Sequence, residues 1–330
     1  MISRALVTGG AGFIGSHVVD SLLADNVDVL VVDDLSSGDP ARLAPGTELR
    51  TFSIVDADQL RATVDTFAPE ALFHLAAQAS VTVSVADPAH DCAVNVQGTL
   101  SVLEAARPHR APVIFTSTGG ALYGNDAPIP TGEDRIPAPL APYGASKWAA
   151  EAYINTWAAA HEIPHAICRL GNVYGPRQSP HGEAGVVAIF ANCIHEGRTP
   201  KMFGEGSPTR DYIHVLDVVT AMRKAYGHRG TFNVATGVET DVKTLWEVLR
   251  SESGTTLAPE PAPLRPGELV RSCLDPSRAY EQLGFEPSIA FDEGVRTTYR
   301  ALIEEFEQGT PRAADDVTPS TRPRQREGRP

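Results

Sequence analysis

Residues 5–19 read Ala5-Leu6-Val7-Thr8-Gly9-Gly10-Ala11-Gly12-Phe13-Ile14-Gly15-Ser16-His17-Val18-Val19: an apolar run, a string of glycines, and a second apolar run. The first run predicts a strand and the second a helix. The glycines between them permit a tight turn and let backbone N–H groups come close to a pyrophosphate, which the helix N-terminus also favours. A glycine string alone is a weak signal, but here an acid stands at the right distance downstream. Asp33 ends the next apolar run, Val29-Leu30-Val31-Val32, where a carboxylate accepts both hydroxyl hydrogens of an adenosine ribose. A 2′-phosphate would be repelled there. Asp34 follows and no arginine occurs before Arg42, so the pattern selects NAD over NADP.

Further apolar runs extend the pattern. Leu72-Phe73-His74-Leu75, Val113-Ile114-Phe115-Thr116, Ala166-Ile167-Cys168-Arg169-Leu170 and Thr231-Phe232-Asn233-Val234 predict strands. Helices are predicted at 14–24, 57–66, 91–106 and 143–160, long enough to cross between parallel strands. Continuously apolar strands fit a sheet covered on both faces. The expected fold is α/β, a doubly wound parallel sheet with a smaller C-terminal lobe. Residues 1–175 form the dinucleotide-binding part, completed by later segments near 231–235, and 176–307 form mainly the interleaved substrate lobe. That lobe, broken by Gly175-Pro176 and by Pro259, Pro261, Pro263 and Pro266, is expected to consist of loops and short helices. Residues 308–330, rich in proline and arginine, are expected to be a disordered tail.

Composition narrows the function classes. Forty-one Asp+Glu against 28 Lys+Arg give a formal charge of −13, which argues against nucleic acid or an anionic membrane as partner. No membrane-length apolar run and no signal-peptide core is present, so a cytoplasmic protein is expected. Cys92, Cys168, Cys193 and Cys273 are widely spaced, which predicts free thiols and no metal. His161 and His165 are four apart, but Pro164 would interrupt a helix aligning them on a metal.

Tyr143 and Lys147 are also four apart, so a helix starting near Tyr143 places both on one face. Tyrosine is a poor base at its reference pKa near 10. A nearby ammonium and a positive nicotinamide ring stabilise the phenolate, enabling it to take a proton from a sugar alcohol near neutral pH. Ser117 and Thr118 end a predicted strand, where open α/β sheets place their ligands.

These motifs, together with Val32-Asp33-Asp34-Leu35-Ser36-Ser37-Gly38, His74-Leu75-Ala76-Ala77-Gln78, Asn95-Val96-Gln97-Gly98-Thr99, Gly171-Asn172-Val173-Tyr174-Gly175-Pro176-Arg177, Arg210-Asp211-Tyr212-Ile213-His214-Val215 and Arg265-Pro266-Gly267-Glu268, stand in order along the chain. Over roughly residues 4–305 the sequence resembles the extended short-chain dehydrogenase/reductase superfamily, in its nucleotide-sugar epimerase/dehydratase branch. The resemblance implies a Rossmann-like sheet with tightly bound NAD, a C-terminal lobe for the UDP moiety, and a homodimer formed through paired helices. By that similarity Tyr143 is the acid/base, Lys147 holds the ribose, and Thr118 or Ser117 hydrogen-bonds the sugar O4. The cofactor contacts it implies are Gly9, Gly12, Phe13, Ile14, Gly15, Asp33, Asp34, Leu35, Ser36, Ser37, Gly38, Ser53, Ile54, Leu75, Ala76, Ala77, Gln78 and Asn95. The implied substrate contacts are Ser80, Asn172, Val186, Phe203, Arg210, Arg265 and Glu268, with the two arginines on the diphosphate, as suits guanidinium geometry. They must reverse the sign of an acidic surface locally. Arg169, Arg177 and Arg271 are expected to be structural or peripheral.

Two departures from the family pattern stand out. Phe52-Ser53-Ile54 replaces the Gly-Asp-Ile/Val segment that meets adenine, leaving a weaker or backbone-borne contact. Gly119 stands four before Tyr123, where the hydroxyl is commonest, which makes Thr118 the first choice and Ser117 the second. Gly119-Gly120 also stands where dehydratases carry an Asp-Glu pair, so elimination of water is disfavoured. The implied activity is NAD-dependent C4 epimerisation of a UDP-hexose, UDP-galactose/UDP-glucose, through a transient 4-keto sugar. The loop Pro180–Phe190 offers no cation for a C6 carboxylate, while the small Ser272-Cys273 leaves room for a C2 N-acetyl group. The alternatives are a UDP-glucuronate, UDP-N-acetylhexosamine or TDP-sugar 4-epimerase, another nucleotide-sugar 4-keto reductase, and a non-catalytic NAD-binding sensor or scaffold.

Overall fold

The computed structural model describes residues 2–181, 185–264 and 269–308. Its apolar runs form a seven-stranded parallel sheet of β1 (Arg4–Thr8), β2 (Asp28–Asp33), β3 (Glu48–Thr51), β4 (Ala71–His74), β5 (Val113–Thr118), β6 (His165–Leu170) and, later, β10 (Gly230–Val234), in the order β10-β6-β5-β4-β1-β2-β3. The chain winds outward from β1 in one direction, then returns to β4 and winds in the other. Parallel strands reverse order between β1 and β4, the switch point at which open α/β sheets hold ligands in a crevice beyond the strands' C-terminal ends.

Helices cover both faces. On one lie α1 (Phe13–Ala24), α8 (Val215–Lys224) and α10 (Ser277–Leu283), whose Val18, Leu22, Val218, Met222 and Leu283 pack on Val7, Phe73, Cys168 and Phe232. On the other lie α2 (Ala57–Phe67), α5 (Gly98–Ala106) and α6 (Pro142–His161), which bury Leu60, Val102, Ala150 and Ile154 against Leu6, Leu72, Phe115 and Ile167. Fully burying one such side chain stabilises by roughly 1.5–3 kcal/mol. Two short helices, α3 (Val81–Ala86) and α4 (Pro88–Cys92), precede α5, and residues 93–97 between α4 and α5 form one wide π-type turn. The predicted helix over 91–106 is therefore helical throughout but widened at Asn95.

The smaller lobe has its own core of Tyr174, Phe190, Tyr212, Leu245, Trp246 and Val295. It is built on a three-stranded sheet of β7 (Asn172–Tyr174), β9 (Thr209–His214) and β11 (Glu239–Asp241), with α7 (Val186–His195), α9 (Val242–Ser253) and α11 (Phe291–Glu307). β8 (Lys201–Phe203) pairs with β12 (Glu260–Ala262). The expectation of loops and short helices is corrected here. α11 spans 17 residues and α9 spans 12, because Val295, Thr298 and Leu302 on one and Leu245, Trp246 and Leu249 on the other bury full amphipathic stripes. β3 escaped the apolar-run criterion because it is an edge strand, Glu-Leu-Arg-Thr, with no fully buried residue. The predicted tail, 308–330, lies outside the described residues apart from Gln308, the C-cap of α11.

All four cysteines are unpaired. Among the described residues no cluster of ligand-type side chains could hold a metal ion, and no helix is long and apolar enough to cross a membrane. His161 ends α6 and His165 opens β6, so the two rings do not share a helix.

Candidate active site

The glycine loop follows β1 and opens α1. Gly9 adopts φ +71°, and a Cβ there would lie 2.5 Å from the Ala76 nitrogen, so only glycine lets the loop seat on the end of β4. At Gly15 a Cβ would lie 2.0 Å from the Gly9 carbonyl oxygen. Gly12 meets only that oxygen, at 3.1 Å, so its outer side is open to a ligand. Phe13 and Ile14, half-buried, form the first turn of α1.

Asp33 is buried at the end of β2. Its Oδ2 accepts from Ala11 N at 2.9 Å and its Oδ1 from Leu35 N at 2.9 Å, joining the glycine loop to the turn after β2. Burial raises the pKa of this carboxyl, opposed by those two backbone N–H groups. Each oxygen keeps a further lone pair for a ribose hydroxyl. A Cβ on Gly38 would lie 2.7 Å from Asp33 Oδ1, which keeps the loop Ser36-Ser37-Gly38 close over the carboxylate. Asp34 accepts from the N and Oγ of Ser36, and Leu35 is held at φ +60°. These cradles and spare acceptors fit the adenosine and pyrophosphate of NAD.

A one-way hydrogen-bond chain ties this loop to the next helix. Ala76 N donates to Thr8 Oγ1 at 3.4 Å, and Thr8 Oγ1 lies 2.8 Å from His74 Nδ1. His74 Nε2 lies 3.0 Å from Thr99 Oγ1, which donates to Asn95 O at 2.6 Å. Thr99 spends its proton on Asn95, so His74 must donate from Nε2 and accept from Thr8 at Nδ1. Complete burial, with Lys147 nearby, drives the His74 pKa down to about 3 and keeps the ring neutral.

The side chains of Asn95 and Gln78, two of the implied cofactor contacts, are engaged in hydrogen bonds within the protein. Asn95 Oδ1 accepts from Gln78 N at 2.9 Å, and its Nδ2 donates to Gln78 O, Asp91 Oδ1 and Ser146 Oγ at 2.9, 3.1 and 3.0 Å. Gln78 Nε2 donates to Ser80 O and Asp91 Oδ1, and its Oε1 accepts from Ser80 N. Together they fix the segment Leu75-Ala76-Ala77-Gln78 that lines the crevice. Ile54 is buried against Gly98, so only its backbone can face a ligand, while Ser53 Oγ accepts from Val55 N at 3.4 Å.

The first turn of α6 presents the predicted pair. Gly144 lets it press on the loop after β5, where a Cβ would stand 2.3 Å from Ala121 O, and Tyr143 is half-buried beside that contact. Ser146 Oγ donates to Tyr143 O at 3.0 Å. Lys147 is 3% exposed; its Nζ rests 4.1 Å above the centroid of the Phe115 ring, with no acceptor or ion pair among the described residues. Burial pulls its pKa down to about 7, opposed by the charges of Glu151 and Asp91. Thr118 is half-buried at the end of β5, and its Oγ1 accepts from Ala121 N at 3.2 Å. Ser117 Oγ is buried without a hydrogen-bond partner.

On the substrate side, Asn172 opens β7 with its Oδ1 facing Gly120, and Arg210 lies in β9. Arg210 Nη1 donates to Thr209 O at 2.9 Å. Val186 and Phe203 are half-buried in the smaller lobe, and Ser80 caps α3 by accepting from Val83 N. Arg265 and Glu268 lie outside the described residues. The remaining arginines are bound into the protein: Arg169 pairs with buried Glu151 at 2.6 Å, Arg177 with Asp20 at 2.6 Å and Arg271 with Glu239. Two cavities of about 690 and 530 Å³ contain neither Tyr143 nor Lys147; the larger lies beneath Tyr212 and Phe291, and the smaller borders Ser37 and Gly38. The Asp91–Asn95–Ser146 network was not anticipated. Its signal was the four-residue spacing of Asp91 and Asn95 on one predicted helix.

A dinucleotide cradle at the switch point of a doubly wound sheet, with a tyrosine and a lysine converging beside it, defines a Rossmann-type oxidoreductive enzyme. The model of the NAD dependent epimerase/dehydratase family matches residues 5–235, and the chain belongs to that family. It is 47% identical over 303 residues to a UDP-glucose 4-epimerase of Mycolicibacterium smegmatis, covering 89% of this chain and 97% of that one. Among solved structures it resembles a UDP-glucose 4-epimerase of Thermotoga maritima with UDP-glucose, at 42% identity and TM-score 0.90, covering 92% of this chain and 99% of that one. It also resembles a Thermus thermophilus UDP-glucose 4-epimerase complexed with NAD, at 39% identity and TM-score 0.85, covering 91% and 98%.

Proposed function

We propose that the chain interconverts UDP-galactose and UDP-glucose by epimerisation at C4, using NAD held in the cradle of Gly9, Gly12, Gly15, Asp33 and Gly38. The carrying observation is Tyr143 and buried Lys147 on the first turns of α6, with Lys147 over Phe115 of β5, the strand that ends in Ser117 and Thr118, and Gly144 pressed on the loop that follows it. NAD bound there supplies the acceptor, and later the donor, of a hydride at the sugar. Tyr143 takes the proton of O4 as the C4–H bond breaks and returns it when the bond reforms on the other face. Lys147, cationic on the same helical face, favours the phenolate and holds the cofactor ribose. Thr118 keeps its own proton to donate to O4 while Ala121 N–H orients its oxygen, and the unpartnered Ser117 hydroxyl is the second choice. Gly119 and Gly120 place no acid near C5, which leaves the 4-keto sugar to turn over and be reduced. Binding energy is concentrated on the distant diphosphate, through Asn172, Arg210 and Arg265, so the sugar stays free to rotate.

The same reading includes a homodimer through α3 and α6, supported by exposed Val83, Val85, Trp148 and Tyr153 on those neighbouring helices. The reaction is tested with UDP-galactose, UDP-N-acetylgalactosamine and UDP-glucuronate separately, without added NAD and with chromatography of the products. UDP-galactose should yield UDP-glucose, and Tyr143→Phe should lower the rate by about 10²–10⁴-fold. Absence of a C4 epimer from all three sugars would overturn the proposal, and conversion of the uronate alone would replace the substrate.

A further inference from the structure

Lys147 and Asp91 are two buried charges that the ion-pair chemistry of this protein leaves unmatched. Lys147 is 3% exposed and Asp91 is 1% exposed. A buried charge is normally paired, because leaving it unpaired costs several kcal/mol. Lys147 has only the Phe115 ring face, and among the described residues no cation pairs with Asp91.

The surroundings of Lys147 leave one candidate for a counter-charge. Within α6, Glu151 accepts three hydrogen bonds from the guanidinium of Arg169, at 3.0, 3.1 and 2.6 Å, so its field is largely cancelled by that neighbour. Tyr143 is the reacting group. β5 contributes the uncharged Phe115, and β4 contributes His74, held neutral. The helical run 93–106 contributes Asn95 and Thr99, which carry no charge. Only α4 contributes an anion without its own cation, Asp91. Its Oδ1 accepts from Gln78 Nε2 at 2.8 Å and from Asn95 Nδ2 at 3.1 Å. Asn95 Nδ2 also donates to Ser146 Oγ, next in sequence to Lys147, and Ser146 donates to the carbonyl of Tyr143. From that network we infer that Asp91 is the counter-charge of the catalytic lysine, a positioning residue acting through Gln78, Asn95 and Ser146 on Lys147 and Tyr143.

The inference rests on the epimerase reading for its catalytic consequence. A negative charge near two proton-binding groups makes both hold their protons more tightly. Removing it must therefore move their titrations to lower pH, whereas a purely structural loss would lower the rate equally at every pH. Burial lowers the pKa of Lys147, and Glu151 and then Asp91 raise it, so the sign agrees for Asp91 although Glu151, itself tied to Arg169, acts the more strongly of the two.

The test compares Asp91→Asn with Asp91→Glu in the NAD-loaded enzyme. In Asp91→Asn both limbs of the pH profile of kcat/KM for UDP-galactose should move down by roughly one unit, so that the ratio of activity at pH 9 to that at pH 6 falls by about 10- to 100-fold, each limb contributing up to a factor of about ten. Asp91→Glu should keep the limbs of the natural enzyme whatever its rate. NMR of protein labelled with ¹³C at lysine Cε, with Lys147 assigned by loss of its signal in Lys147→Met, should show the same downward movement without depending on turnover. Limbs and lysine titration unmoved in a folded Asp91→Asn protein would overturn the inference. Should Asp91→Asn fail to fold, the Asp91 carboxyl is followed by ¹³C in Lys147→Met, where its midpoint should rise by the same amount, since coupling is reciprocal. An unmoved midpoint there overturns the inference equally. A natural enzyme that epimerises none of the sugars would instead sink the functional reading, leaving the two titrations to decide the role of Asp91.

Discussion

At the scale of single residues, the site depends on histidines kept neutral as much as on the charges it uses. His74 bridges Thr8 and Thr99 only in its neutral form, because a protonated Nδ1 could no longer accept from Thr8. Burial drives its pKa from 6.5 to about 3, and burial also drives that of His214 to about 4. Between pH 6.5 and 4 the unfolded chain therefore binds two protons at these positions that the folded chain refuses. Stability rises with pH wherever the unfolded state binds more protons, so both contributions are present above pH 6.5 and are lost as the pH falls. Urea midpoints measured across pH 4–6.5 should show His74→Gln taking up about one proton fewer on unfolding than the natural protein, with a flatter pH dependence. An unchanged slope would mean that His74 is already charged in the fold. His74 could be quoted from the sequence as a strand-end residue. Its tautomer could not, since that follows from Thr99, which lies 25 positions away and across a helix.

At the scale of elements, legibility followed burial. β1, β2, β4, β5, β6 and β10 are mostly buried and read as predominantly apolar runs, interrupted in β6 by Arg169 and in β10 by Asn233, whereas β3 sits at a sheet edge with polar side chains and gave no run. The small sheet of β7, β9 and β11 was visible only as motif residues, because what holds it is a polar device. Asp211, buried in β9, accepts from Thr236 N and Oγ1, Gly237 N and Leu274 N, at 2.8, 2.6, 3.0 and 3.2 Å. One carboxylate thus ties β9, which carries Arg210, to the turn after β10 and to the segment following Arg271. Sequence reading credited this motif to its arginine, and the aspartate beside it is what fixes the strand. Asp211→Ala strands three backbone N–H groups in the interior and should cost about 3–5 kcal/mol in urea unfolding, with Asp211→Asn less damaging because it keeps one acceptor oxygen. A loss below about 1 kcal/mol would show that water replaces the carboxylate.

At the scale of the whole molecule, the doubly wound parallel sheet was legible because apolar runs alternate with helix-length segments and the glycine loop and Asp33 mark the C-terminal ends of its first two strands; the order of the strands was not. Nor were the long helices of the smaller lobe read, although 242–253 and 291–307 each carry an apolar stripe at helical spacing, because the prolines at 259–266 set the expectation of loops and short helices. What remains open on the surface is one face of α6. Lys147 and Glu151, the charged side chains along its body, are both buried, so its outward side shows only Ala145, Trp148, Ala152, Tyr153, Thr156 and their small or amide neighbours. A 20-residue helix with no charge on its solvent side, next to exposed Val83 and Val85 on α3, is an apolar surface of the kind that monomers seldom leave uncovered. A twofold axis beside α6 would bring the same surface of a second copy against it, and a stable interface needs about 800 Å² from each partner. Sedimentation at micromolar concentration should therefore give a dimer for the natural protein and a monomer for Trp148→Glu, with the far-ultraviolet dichroism of the two alike. Since α6 also carries Tyr143 and Lys147 on its inner side, the monomeric variant should lose activity in proportion to its dissociation and recover it at higher protein concentration. A Trp148→Glu protein that sediments as the natural one does would remove this face from the assembly.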